Sequence, residues 1–207
     1  MAVALKVVDL RYLPPADEFL SEREQAVLAG LKLPKRRKEW LGGRFALKIL
    51  VCAEKKVPFK QVEILAPQEG GKPVLRVLGQ KCALAFSITH SHGYAAAGIA
   101  PQDKYLGIDL EKIAPRIDAW KDDFFHPSEL TEKGDAFLTA LWTQKEAVVK
   151  LLGTGLAVNS FDVRCVKGAV SFYGKAAEIY RALGSPVIRL KTERAPEGFA
   201  FSIAVGK

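Results

Sequence analysis

Cysteine is scarce in this 207-residue chain, and the three present, Cys52, Cys82 and Cys165, are odd in number, far apart and never in a C-x-x-C pair. That excludes a disulfide framework and a cysteine zinc site and leaves them as reduced core residues. No apolar run approaches the roughly 20 residues needed to cross a bilayer. The first twenty residues carry Lys6, Asp9 and Arg11 and no long apolar stretch, so no secretory signal is expected and the expected compartment is the cytoplasm. A Gly-rich G-x-x-x-x-G-K-[ST] phosphate loop is missing, which argues against a P-loop kinase. So are helix-turn-helix, zinc-finger and RNA-recognition signatures, and aromatics are not interleaved with the basic residues as a single-strand stacking platform requires. Acidic residues are outnumbered, 23 against 31 basic, for a net charge of +8. The excess calls for an acidic partner, although charge alone does not separate nucleic acid, membrane, phosphorylated ligand and acidic protein. Its densest run, Lys32 to Lys38, holds five Lys or Arg in seven residues and enters a helix rather than a tail.

With 49% hydrophobic and 26% charged residues, the chain can bury a core as one large domain or two small ones. Residues 2–10 read as a strand, and Ser21-Glu22-Arg23-Glu24 as a capping-box helix start. A long amphipathic helix spans 35–55, followed by strands near 61–66, 74–78, 82–89 and 94–100. Pro101-Gln102-Asp103-Lys104 is a polar turn and the expected seam, giving subdomains 1–101 and 102–207. Beyond it come a strand at 106–110, a helical segment near 117–132 and a long helix at 135–152. Strands near 161–166 and 169–173, a helix at 175–183 and strands near 187–192 and 198–205 complete an α+β chain.

Two segments carry the chemistry: Gly107-Ile108-Asp109-Leu110-Glu111 and Trp142-Thr143-Gln144-Lys145-Glu146-Ala147-Val148-Val149-Lys150. On a strand, residues two apart share a face, so Asp109 and Glu111 point the same way. On a helix, Trp142, Glu146, Val149 and Lys150 form one stripe. If the helix packs beside the strand, Glu146 completes an all-oxygen site suited to Mg2+, or Mn2+ in its place, rather than zinc. Taken singly, each segment reads equally as an ordinary solvated ion-pair face.

Together they resemble the 4'-phosphopantetheinyl transferases, in particular the long Sfp-type branch, whose signature pairs G-[IV]-D-x-E with W-[ST]-x-K-E-[AS]-x-x-K. The resemblance runs in order over roughly residues 34 to 160. Arg36-Arg37-Lys38-Glu39-Trp40-Leu41-Gly42-Gly43-Arg44 is similar to the family's basic helix, Gly71-Lys72-Pro73 to its G-K-P turn, and Phe86-Ser87-Ile88-Thr89-His90-Ser91 to its N-[IL]-S-H-[ST] strand end. Phe124-Phe125-His126-Pro127-Ser128-Glu129 resembles its F-F-x-x-x-E segment, and Lys150 to Leu156 its K-x-x-G-x-G-L helix exit. Ser87, Thr89 and Gly42 depart from the family's usual Asn, Ser and Ala.

The resemblance implies two pseudo-symmetric α/β subdomains, each a long helix on a small antiparallel sheet, with the active site at their interface. It implies transfer of 4'-phosphopantetheine from coenzyme A to a serine of an acidic acyl or peptidyl carrier protein by a monomer. The first subdomain would take the 3'-phosphate and adenine and the second the metal. Asp109, Glu111 and Glu146 become metal ligands, with Glu146 or a water it orients as base. Lys150 and Asp109 face the pyrophosphate, while Lys72, Thr89, His90, Arg37 and Arg44 are coenzyme A contacts. Arg37 and Arg44 lie two helical turns apart and share a face; Arg44, deeper in the helix, could instead pair with a carboxylate such as Glu39. Trp40 and Trp142 read as core, and Glu129 as either a carboxylate behind the ligands or one satisfying helix-start amides. The competing reading is a non-catalytic basic module, binding nucleic acid or protein, on a transferase-like scaffold.

Overall fold

The computed structural model describes residues 2–67 and 71–207. The chain divides into two compact units, Met1–Gln102 and Asp103–Lys207. Their topology is α+β, built from helices and small antiparallel sheets.

The first unit opens with strand β1 (Ala4–Asp9), a short helix α1 (Ala16–Phe19) and α2 (Glu22–Gly30). Ser21 caps α2 in a full capping box with Glu24, as its sequence signature predicts. The long helix α3 (Pro34–Lys55) begins with a proline at its first position, where no backbone amide is needed. After it come β2 (Val62–Leu65), β3 (Val74–Val77) and the two-residue β4 (Gln80–Lys81), forming one small sheet. Strands β5 (Leu84–Ser91) and β6 (Tyr94–Pro101) form a hairpin whose turn, His92-Gly93, is left-handed at both residues (φ 43° and 87°). β6 is the middle strand of the β1-β6-β5 sheet. Its run of alanines is buried on both faces, which lets α3 lie close against it.

The second unit repeats the plan. β7 (Tyr105–Lys112) leads to α4 (Asp118–Phe124), a 3-10 turn at Pro127–Glu129 and the long helix α5 (Asp135–Leu152). A two-stranded sheet, β8 (Val163–Val166) with β9 (Ala169–Phe172), precedes α6 (Gly174–Ala182), β10 (Ile188–Glu193) and β11 (Phe199–Gly206). The main sheet runs β10-β11-β7, the same order as β5-β6-β1: first strand antiparallel to last, last antiparallel to next-to-last. Each long helix packs on its own unit's main sheet. The periodic pattern placed α5 and α3 well, whereas α1 and β4 were too short to show any period, and the segment near 117–132 is a seven-residue helix and a separate 3-10 turn.

Each unit has its own core. Leu47, Val51, Ile64, Leu75 and Ile99 centre the first, and Phe125, Leu141, Val148, Leu151 and Val163 the second. Trp40 is buried beside Phe19 and Leu28, and Trp142 packs edge-on against Trp120, Phe124 and Phe125, so both tryptophans are core residues.

Candidate active site

β7 and α5 approach until their backbones touch. Gly107, Asp109 and Glu111 alternate onto one face of β7. A Cβ at Gly107 would lie 1.9 Å from the carbonyl oxygen of Ala147 and 2.5 Å from the amide nitrogen of Leu151, both backbone atoms of α5. Glycine is therefore required there by packing, and the contact brings the next residues on that face, Asp109 and Glu111, beside Glu146 and Lys150.

Electrostatics shows the grouping. Glu146 is half-buried, and its carboxyl is pushed above the usual range first by burial and then by the charge of Asp109, with Glu111 adding and Lys150 opposing. Lys150 Nζ lies 2.6 Å from Asp109 Oδ1, and the Asp109 side chain is only 7% exposed. A hydroxyl chain ties α5 to the neighbouring strands β11 and β10: Thr143 Oγ1 and Ser202 Oγ are 2.8 Å apart, Ser202 Oγ and Thr192 Oγ1 2.8 Å, and Gln144 Nε2 donates to Thr192 Oγ1 at 3.0 Å. Ser202 stands opposite Asp109 in the β11–β7 register.

Among the described residues, no three His, Cys, Asp or Glu side chains close into a metal-ligating cluster as they stand. The donor chemistry nonetheless fits a hard cation: the donors are all carboxylate oxygens, and after burial it is the charges of Asp109 and Glu111 that raise Glu146.

Within the first unit, His90 is the next-to-last residue of β5. Its Nδ1 is 3.7 Å from Glu39 Oε2 and its Nε2 3.5 Å from Arg36 Nη1, so Arg36, rather than Arg37, shares its surroundings. Arg37 Nη1 donates to the carbonyls of Leu28 and Leu31 at 2.5 and 3.1 Å, closing the end of α2. Arg44 is not paired with Glu39; its guanidinium lies 3.8 Å over the Trp40 ring, and burial lowers its pKa to about 10. Thr89 is buried on β5 and Lys72 is exposed. Sequence reasoning missed the roles of Lys145, Thr143 and Ser202. The one available signal was Ser202, a hydroxyl inside the otherwise apolar run 199–205; Lys145 and Thr143 sit in the polar stretch Thr143-Gln144-Lys145-Glu146, where nothing singles them out.

A family description, "4'-phosphopantetheinyl transferase superfamily", matches residues 105–183, which hold the whole β7–α5 contact. The chain is 36% identical over 89 residues to a holo-[acyl-carrier-protein] synthase of Geobacillus sp., covering 40% of this chain and 73% of that protein. It is 27% identical over 155 residues to a 4'-phosphopantetheinyl transferase of Bacillus pumilus, covering 70% of this chain and 64% of the relative's length. A crystal structure of Thermotoga maritima holo-[acyl-carrier-protein] synthase aligns with 60% of this chain and 74% of its own at 26% identity, with a TM-score of 0.39. The chain belongs to the 4'-phosphopantetheinyl transferase superfamily and, with relatives such as the Bacillus pumilus protein, to its Sfp-like branch.

Proposed function

We propose that the protein transfers the 4'-phosphopantetheine group of coenzyme A to a serine hydroxyl of an acyl or peptidyl carrier protein, releasing 3',5'-adenosine bisphosphate. The observation that carries this reading is the gathering of Asp109, Glu111, Glu146 and Lys150 at one strand–helix contact inside the segment that the family description matches.

Asp109, Glu111 and Glu146 would hold Mg2+, or Mn2+ in its place. That cation supplies charge neutralisation and alignment of a pyrophosphate. Glu146, directly or through a water it orients, would take the serine proton. The serine Oγ–phosphorus bond forms at the β-phosphate, the bond from that phosphorus to the bisphosphate oxygen breaks, and the serine proton leaves towards Glu146. Lys150 pairs with Asp109 and, one helical turn from Glu146, would offer its ammonium to the departing phosphate. His90, Lys72 and Thr89 are assigned to the 3'-phosphate side of coenzyme A, with Arg36 joining His90 there. Arg37 would act by closing the end of α2 and Arg44 by packing over Trp40, because one guanidinium is engaged by carbonyls and the other by an indole.

The basic surplus suits an acidic carrier, and the three free cysteines suit the reducing cytoplasm. Among the described residues, no helix is long and apolar enough to cross a membrane. A monomer is the expected state. The test is direct: incubation with coenzyme A, Mg2+ and an apo acyl carrier protein should add one phosphopantetheine to the carrier serine by mass spectrometry. A carrier of unchanged mass across apo carriers of the fatty-acid, polyketide and peptide-synthesis classes would reject the assignment.

A further inference from the structure

Both units contain the same buried ion pair. In the first, Lys48 of α3 and Glu24 of α2 are wholly shielded and 2.6 Å apart. Glu24 Oε1 accepts from the Ile64 amide at 2.9 Å and Oε2 from the Ser21 amide at 3.1 Å. In the second, Lys145 of α5 and Glu129 are 2.7 Å apart. Glu129 Oε1 accepts from the Cys165 amide at 2.8 Å and Oε2 from the His126 amide at 2.9 Å. The correspondence extends to each partner: the carboxylate closes a capping box, the lysine comes from the long helix, and one amide comes from the first strand of the small sheet. Such a pair is a weak source of stability, because desolvation offsets most of its attraction. Its value lies in what it fixes.

That differs between the units. Ile49 follows Lys48, whereas Glu146 follows Lys145. Successive helical residues are about 100° apart, so Thr143, Glu146, Ala147 and Lys150 share one face and Lys145 leaves from the opposite side. The first face meets the sheet, through Thr143 on Ser202 and Ala147 on Gly107. Lys145 meets Glu129 behind the helix. Gripped from both sides, α5 cannot roll about its axis, and its roll sets the direction in which Glu146 leaves it.

We propose that Lys145 is a positioning residue: clasped by Glu129, it holds α5 in the roll that presents Glu146 to Asp109 and Glu111, while Lys48 retains only the structural half of the device. This rests on the assignment of those three acids as cation ligands.

Two matched double variants of the full chain test it. Lys145→Met/Glu129→Gln removes both charges at similar volume, and Lys48→Met/Glu24→Gln does the same in the first unit. Binding of Mn2+ alone, read from the electron paramagnetic resonance of the free ion, should weaken about 10- to 100-fold in the former and hold at the wild-type value in the latter. With coenzyme A and carrier, kcat should fall in the former while KM for coenzyme A stays. Should Lys145→Met/Glu129→Gln not fold, Glu129→Asp, which keeps both charges but shortens the clasp, should weaken Mn2+ in the same direction. Unchanged Mn2+ affinity in a folded second-unit variant overturns the positioning role whatever its melting temperature, and so does equal weakening in both double variants. A wild-type protein that binds no Mn2+ and modifies no carrier brings down the proposed function, and this inference with it.

Discussion

Gly107 and Ala147 are in backbone contact: a methyl group at Gly107 would fall 1.9 Å from the Ala147 carbonyl oxygen. Because the obstacle is backbone, Gly107→Ala must separate β7 from α5 rather than reorient a side chain. Overpacking of this kind costs about 1–3 kcal/mol, and here the upper end is expected. Displacing reacting groups by about 1 Å costs on the order of 100-fold in rate. Thermal unfolding and carrier modification measured on one preparation check both numbers, and a variant with wild-type melting and turnover would show that the contact is looser than described.

Asp109→Ala and Glu146→Ala should each lower transfer by more than about 100-fold, since losing one ligand removes several kcal/mol of charge stabilisation. Chelation of the wild-type protein should abolish activity without lowering its melting temperature much, and added Mg2+ should restore it. Retention of more than a tenth of wild-type kcat in either folded variant would count decisively against the acids as ligands.

Recognition of the 3'-phosphate gives a comparison internal to the substrate. Lys72→Ala and His90→Ala should weaken coenzyme A more than dephospho-coenzyme A, because charge-assisted bonds worth about 1.5–3 kcal/mol have no counterpart in the latter. Arg37→Ala should instead lower stability and affect both donors alike, given its carbonyl partners. Equal losses of both donors in the His90 variant would remove that residue from the phosphate site.

Burial above all, with the Glu129 charge adding and Lys145 opposing, pushes the Cys165 thiol from its ordinary value near 9 to about 12. The unfolded chain gives up this proton from about pH 9, while the folded chain keeps it until about 12. In that window the unfolded state binds fewer protons, so stability falls as pH rises: the contribution is whole below about 9 and gone above about 12. Urea midpoints between pH 8 and 11 should therefore fall more steeply for wild type than for Cys165→Ala. Parallel curves would mean the thiol titrates normally in the fold.

The sequence by itself determined the elements with a strong period and the residues with a chemical signature. α3 and α5 are long enough for a 3.6-residue pattern to stand out, and Asp109, Glu111, Glu146 and Lys150 sit in spacings that strand and helix geometry convert directly into shared faces. The capping box at Ser21 and Glu24 was equally legible, because both partners lie within one turn. Only the tertiary structure decided the use of side chains whose partners are distant in the chain. Glu24 meets Lys48 and the Ile64 amide, and Glu129 meets Lys145 and the Cys165 amide, across separations that no local pattern encodes. Arg37 reads as a phosphate ligand by type and spacing, yet in the fold it closes the end of α2, because exposed carbonyls at a helix terminus need a donor and its guanidinium is within reach. Local periodicity fixes which face a residue occupies; the packing of that face against another element fixes what the residue can do there.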